Sequence, residues 1–349
     1  FMAGVSPEAA AQAERCGARP ASFGPFPGIA AGPLDEAAVP EPTSPDPARQ
    51  VAALIYTSGT TGTPKGVMLS HRNLLFSARV TGLLRRLDGN DRVYGVLPMS
   101  HIVGLSSSLV GTLMFGGCLL PVPRADPAHL AQALERGDVT VLSGVPATYQ
   151  RLLAHKATAG LARLRAGRLQ RASVAGAPLD PALKRRVEAE LGVSLSNAFG
   201  ITECSPTIAM VRLEDPRPDE TVGRILPGVE ARLVKADGEP SADGEIGELH
   251  VRGPNVMLGY YRAPALTAAA VDADGWFATG DLARFDGGYL YIVGRLKEMI
   301  IRSGFNVYPA EIEAVLNGHP AVVQSAVVGR AADGNEEVVA FVQLLAGAG

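Results

Sequence analysis

An α/β protein is predicted, with a large core of mainly parallel strands covered by helices. Two observations predict it. Between residues 92 and 191, short apolar runs alternate with stretches of helical periodicity, and such alternation belongs to parallel sheets flanked on both faces. From residue 221 to 253 the pattern becomes strand-rich and is punctuated by Asp237-Gly238 and Asp243-Gly244, which predicts an antiparallel β subdomain beside the core. A small, partial α+β domain is predicted to follow.

The first fifty residues are rich in Ala, Pro and Gly and have little periodicity, and 40–47 reads as a linker. Phe1 precedes Met2, so an upstream portion is expected to be missing. Residues 51–56 read as a buried strand entering a Gly/Thr loop. Residues 74–87 are apolar at helical spacing, and 92–97 are strand-like. The apolar run 105–120 is broken by serines and glycines, so it reads as a buried helix and strand and not as a membrane span. A helix is expected over 126–136, a strand over 139–142, and a helix over 146–157 with Pro146 first. A strand follows over 172–175, then a helix over 180–191 with Asp180 as N-cap and Pro181 at its first position. After a strand at 289–294 come a helix at 309–316 and strands at 322–328 and 337–345. The expected division is 1–50, 51–294 and 295–349, the last read as a small domain cut off at Gly349.

Bulk properties exclude several functions. The net charge is −3 with no basic block, so nucleic acid is not the expected partner. Cys16, Cys118 and Cys204 are scattered without CxxC spacing, and the six histidines show no HExxH pattern, which removes disulfide staples and the usual zinc motifs. A cytoplasmic location fits.

Ligands on open parallel sheets bind beyond the carboxyl ends of the strands. The loops after Tyr56, Leu97, Ala175 and Ala198 are therefore the expected site. The first is the most informative. Thr57, Ser58, Gly59, Thr60, Thr61, Gly62, Thr63, Pro64, Lys65 and Gly66 place five hydroxyls within seven residues, with glycines between them and a lysine after. Glycines let backbone N–H groups approach an anion, hydroxyls add donors, and Lys65 adds charge. It is not a Walker A loop, because Pro64 and Gly66 flank the lysine.

This loop, YTSGTTGTPKGV, resembles the signature phosphate loop of the adenylate-forming superfamily, and the chain from about Val51 onward resembles its acyl-CoA synthetase branch. Further motifs follow in the family's order. Asn197-Ala198-Phe199-Gly200-Ile201-Thr202-Glu203 is similar to the aromatic-Gly-x-Thr-Glu segment. The resemblance implies adenine against Phe199, the α-phosphate at Thr202, and Mg2+ on Glu203, a hard carboxylate suited to that ion. Gly176-Ala177-Pro178 resembles the loop lining the adenine and acyl pocket. Gly275-Trp276-Phe277-Ala278-Thr279-Gly280-Asp281 resembles the ribose-binding motif, which makes Asp281 the acceptor of the ribose hydroxyls. Arg295 would contact ribose and phosphate, Lys297 stands at the inter-domain hinge, and Ser303-Gly304-Phe305 is similar to the loop that serves thioester formation. Pro98-Met99-Ser100-His101 resembles the segment whose histidine lies at the acyl pocket, although an aromatic usually stands where Ser100 does.

The resemblance implies ATP, Mg2+ and coenzyme A as reactants and cofactors, and a small carboxylic acid as partner. The acid would join AMP and then pass to the CoA thiol. Lys65, Thr202, Glu203 and His101 are the implied catalytic groups. Around the acid, His101, Ile102, Val103 and Gly176 supply mainly apolar contacts. No Arg or Lys neighbours them in sequence, which predicts a fatty or aromatic monoacid. Alternatives are an adenylation domain of the peptide-synthetase or luciferase-like branches, or a nucleotide-binding fragment with little catalysis. The family's adenylation lysine lies in a Pro-x-Thr-x-x-Gly-Lys segment. No lysine follows Lys297, so the chain as given is expected to be a poor catalyst.

Overall fold

The computed structural model describes residues 19–23, 26–31, 41–57, 64–303, 305–319, 321–332 and 335–344. Two units are present, Phe1–Ser44 and Pro45–Gly349. In the first, β1 (Arg19–Phe23) and β2 (Phe26–Ala31) form an antiparallel pair. This pair stands inside the stretch that composition reads as irregular.

The second unit opens on β3 (Val51–Thr57) and β4 (Lys65–Ser70), which pair antiparallel. The expectation of a buried strand over 51–56 is corrected here. β3 is the edge of a three-stranded sheet and Tyr56 is 61% exposed, whereas Val67 and Leu69 of β4 are fully buried. An apolar run does not by itself reveal which strand is the edge. β4 leads into α1 (His71–Leu84) through a reciprocal cap. Ser70 Oγ accepts from Asn73 N–H at 3.1 Å, and Asn73 Oδ1 accepts from Ser70 N–H at 2.8 Å.

A seven-stranded sheet follows. Its parallel part is β9 (Leu195–Gly200), β8 (Arg171–Val174), β7 (Val141–Gly144), β5 (Arg92–Gly95) and β6 (Cys118–Pro121), in that spatial order. β10 (Thr207–Met210) and β11 (Arg224–Ile225) extend it antiparallel. The connecting helices are α2, α3 (Pro127–Glu135), α4 (Pro146–Thr158) and α5 (Pro181–Leu191). α2 is π-helical over Val103–Val110 and α-helical over Gly111–Met114. Asp126 and Asp180 cap α3 and α5 by accepting from Ala128 and Ala182 N–H; the cap at Asp180 followed by Pro181 is the expected one. Leu134, Tyr149, Leu152 and Val187 pack on Leu142 and Val174 of the sheet. A second core cluster holds Val67, Leu69, Leu74, Ile102, Ile208 and Leu249.

The antiparallel sheet expected near 221–253 continues to Arg295. Its order is β12 (Glu230–Val234), β13 (Gly247–Arg252), β15 (Phe277–Asp286) and β16 (Tyr289–Arg295). Gly287 and Gly288 close the β15–β16 hairpin at φ 57° and 80°, a pair of values that suits a tight hairpin turn. β14 (Gly259–Tyr260) pairs with β4, and α6 (Pro264–Ala270) follows. Beyond β16 lie β17 (Ile300–Arg302), β18 (Phe305–Val307), α7 (Pro309–Asn317), β19 (Val322–Ala332) and β20 (Asn335–Leu344). Among the described residues no helix is long and apolar enough to cross a membrane.

Candidate active site

A cavity of about 1010 Å3 lies at the carboxyl ends of β7, β8 and β9 and reaches β3, β4 and the β15–β16 hairpin. Strand ends supply most of it, as a parallel sheet dictates. Of the sequence-predicted residues, Thr57, Lys65, His101, Ile102, Val103, Gly176, Ala198, Phe199, Gly200, Thr202, Glu203, Asp281, Arg295 and Lys297 all line it. These groups are separated by up to 240 positions in the chain, so their meeting is a product of folding.

Asp281 is 4% exposed. Its Oδ1 faces Arg295 Nε at 3.2 Å across the β15–β16 pair, and its N–H donates to Thr279 Oγ1 at 3.0 Å. Its Oδ2 is buried and has no hydrogen-bond partner among the described residues. Burial pushes the carboxyl up to about 6; Arg295 opposes this, and Glu203 and Glu298 add to it. The adjoining Gly280 N–H donates to Glu248 Oε1 at 3.0 Å.

Glu203, Tyr260 and Lys65 form a second group. The Tyr260 hydroxyl donates to Glu203 Oε1 at 3.0 Å, and Lys65 Nζ lies 5.1 Å from the Tyr260 ring centroid, within cation–π range. Burial first, and Glu203 second, hold the phenol well above its ordinary range, so it remains a donor. Met257 N–H donates to the Glu203 carbonyl at 2.8 Å and fixes the backbone there. Among the described residues no three His, Cys, Asp or Glu side chains converge to cage a metal. Mg2+ held with phosphate oxygens needs only one or two carboxylates, and Glu203, with Oε2 free of the tyrosine bond, fits that mode.

Phe199 and Gly200 end β9. A Cβ at Gly200 would lie 2.1 Å from the Pro206 carbonyl oxygen, so the glycine allows the returning chain to pass. His101 accepts the Val103 N–H on Nδ1 at 3.2 Å, and burial lowers its pKa. That shift favours the neutral imidazole, and the Val103 contact suits the form that carries its proton on Nε2.

Several predicted residues stand apart. Ser58, Gly59, Thr60, Thr61, Gly62 and Gly304 lie outside the described residues. Asn197 does not line the cavity, because its buried amide donates to the carbonyls of Glu220 and Thr221 at 3.1 Å each. Ala177 and Pro178 sit on the exposed turn after β8 and do not reach the cavity. Ser303 exchanges hydrogen bonds with Asn335, and Phe305 is 74% exposed; neither lines the cavity. The sequence reading also missed lining residues: Tyr260, Glu248, Thr81 and Arg85. Arg85 brings a cation to the wall of the cavity that His101, Ile102 and Val103 also line, although no Arg or Lys neighbours those residues in sequence. It lies sixteen positions before His101, and α1 brings it in.

The comparisons with known proteins fit this geometry. A family model described as AMP-binding enzyme matches residues 7–261. A feruloyl-CoA synthase of Amycolatopsis is 38% identical over 307 residues, covering 86% of this chain and 61% of that protein. The ATP-bound structure of MatB from Rhodopseudomonas palustris superposes with a TM-score of 0.80 at 37% identity, over 86% of this chain and 59% of that one. The O-succinylbenzoate coenzyme A synthetase of Bacillus subtilis, in complex with ATP and magnesium ion, gives 0.76 at 32% identity, over 85% and 61%. The chain thus spans about three fifths of the length of these relatives.

Proposed function

We propose, since the chain belongs to the AMP-binding enzyme family, that it serves the ATP-dependent activation of a carboxylic acid. In the first step an acid oxygen attacks the α-phosphorus of ATP, and pyrophosphate leaves with the broken bond's electrons. In the second, the sulfur of coenzyme A attacks the acyl carbonyl and AMP leaves. Neither step needs a protein nucleophile; positioning and fixed charge carry them.

The observation that supports this reading best is the unpartnered Asp281 Oδ2 at the cavity wall. A buried carboxylate oxygen without a donor is costly, and a ribose hydroxyl is a donor of the right kind. Phe199 offers its face to the adenine. Lys65, Thr57 and the hydroxyls of residues 58–63 hold the phosphates, and Thr202 donates to the α-phosphate. Tyr260 steadies Glu203, the carboxylate that would hold magnesium. Magnesium, when bound, offsets the phosphate charge. His101 lies where the acid enters, beside Ile102 and Val103. Arg295 keeps Asp281 oriented. Lys297 is the pivot between 51–294 and 295–349, and Ser303 and Phe305 serve the thioester step once that part turns. Free Cys118, exposed, and the need for ATP and coenzyme A fit a cytoplasmic location.

The test is calorimetric titration of AMP. Asp281→Ala removes a charged acceptor and is expected to weaken binding by about 1–3 kcal/mol. Unchanged affinity overturns the ribose assignment.

A further inference from the structure

The cavity has a polar inner end that activation chemistry leaves unexplained. Ser77 and Thr81 of α1 and its C-cap residue Arg85 recur every four residues on one face and are 0%, 3% and 5% exposed. An interior helix face is ordinarily apolar. Thr81 and Arg85 line the cavity together with Ser107 of α2 and with Ser143 and Ser173 at the ends of β7 and β8. The last two hydroxyls bond each other at 2.8 Å. Ser77 Oγ, one turn before Thr81, is buried with no hydrogen-bond partner among the described residues.

Among the described residues Arg85 makes two side-chain hydrogen bonds, both to neutral carbonyls: Nε to Thr81 O at 3.2 Å and Nη2 to Ser107 O at 2.9 Å. A guanidinium carries five donors, so donors remain. The charges acting on it are Arg171, which repels it, and Asp91, which Arg171 and Thr140 already hold. Burial lowers the guanidinium to about 10, so it stays charged at neutral pH. A buried cation with no carboxylate bonded to it is costly, and here it stands at the wall of a substrate-sized cavity.

We infer that Arg85 determines specificity at the acid-binding end, and that the preferred acid carries a second anionic group, a carboxylate or sulfonate, that meets the guanidinium. This rests on the activation reading above. Ile102 and Val103 then contact the aliphatic or aromatic body of the acid, and Thr81, Ser107, Ser143 and Ser173 surround its far end. The rival view is that Arg85 only ties α1 to α2 through the Ser107 carbonyl.

The experiment uses non-hydrolysable acyl-adenylate mimics, sulfamoyl adenosines bearing either a monoacid or the dicarboxylic acid of equal length, across a ladder of lengths. Their affinities are measured on this chain. In at least one matched pair the carboxylated member is expected to bind about tenfold or more tightly, as a charge-assisted hydrogen bond provides. Arg85→Met should bring that ratio close to one, and Arg85→Lys should keep part of it. Equal binding within every pair, or a preference that survives Arg85→Met, overturns the inference and leaves the activation reading standing. Failure of every mimic, and of unsubstituted sulfamoyl adenosine, overturns the activation reading and the inference with it. If Arg85→Met does not fold, the wild-type ratios and Arg85→Lys decide.

Discussion

Asp91, in the turn before β5, and Asp281, within β15, are almost equally buried, at 3% and 4% exposure. Asp91 is fully served. Its Oδ1 accepts from Thr140 Oγ1 at 2.8 Å and from Arg171 Nη2, and its Oδ2 accepts from Asp88 N–H at 2.9 Å. Asp281 has one arginine contact, and that arginine's side chain is 48% exposed. Its second oxygen has no hydrogen-bond partner among the described residues. Burial alone therefore does not mark a functional carboxylate. What distinguishes the two is whether the fold itself completes the hydrogen bonding, or leaves one oxygen turned to a cavity for a ligand to complete.

The largest expected effect separates them by stability. Asp91→Asn leaves the Arg171 guanidinium, whose side chain is 12% exposed, without its counter-charge. Breaking one side of a buried pair costs about 3–5 kcal/mol. A denaturant melt should show that loss, while AMP affinity per folded molecule stays as before. If Asp91→Asn unfolds no more easily than the wild type, the buried pair is not structural and the contrast collapses.

Asp281→Asn is expected to act in the opposite direction. The folded carboxyl titrates at about 6, above its ordinary 3.8, so the folded state holds the proton better than the unfolded one. The stability linked to that proton is fully present below the ordinary carboxyl range and is lost as pH rises through about 6. At neutral pH the ionised group therefore destabilises the free protein by about 2–3 kcal/mol, since each pH unit corresponds to about 1.4 kcal/mol. Asn removes the charge, so the free variant should melt higher at pH 7 and lose that advantage near pH 4. A variant no more stable than wild type at pH 7 would show that Arg295 satisfies Asp281 sufficiently.

This contrast was only partly legible in the sequence. Asp281 stands in a motif whose spacing announces it, and Asp-Pro pairs at 126–127 and 180–181 announce helix starts because caps are local. The exposed edge position of β3 and the strand β4 were not legible, because they depend on which neighbours pair. Tyr260 and Arg85 join the cavity through tertiary packing, and no local pattern marks them as ligand-facing. Arg85 did leave a trace: Ser77, Thr81 and Arg85 recur at helical spacing, a polar stripe that becomes informative only once α1 is known to be interior. Asn197 shows the converse. It sits inside a recognised motif, yet its amide holds the 220–221 backbone and stays out of the cavity.

The smallest effect concerns Glu203, which stands between the two extremes. One of its oxygens is held by Tyr260, at 3.0 Å, within the protein; the other has no such tie to the phenol. If the fold completes half of this carboxylate and a ligand the rest, then Tyr260→Phe should cost about 1 kcal/mol of stability, the worth of one hydrogen bond. The ring over which Lys65 sits is retained in that variant, so the lysine contact at 5.1 Å is not the quantity being tested. The second readout is magnesium dependence. Freed from the phenol, Glu203 is less fixed in orientation, so the Mg2+ concentration that half-saturates ATP binding should rise, while AMP binding without metal should not change. A loss of stability with unaltered magnesium dependence would assign the tyrosine to packing alone, and would move Glu203 to the side of Asp91 as a carboxylate that serves the fold.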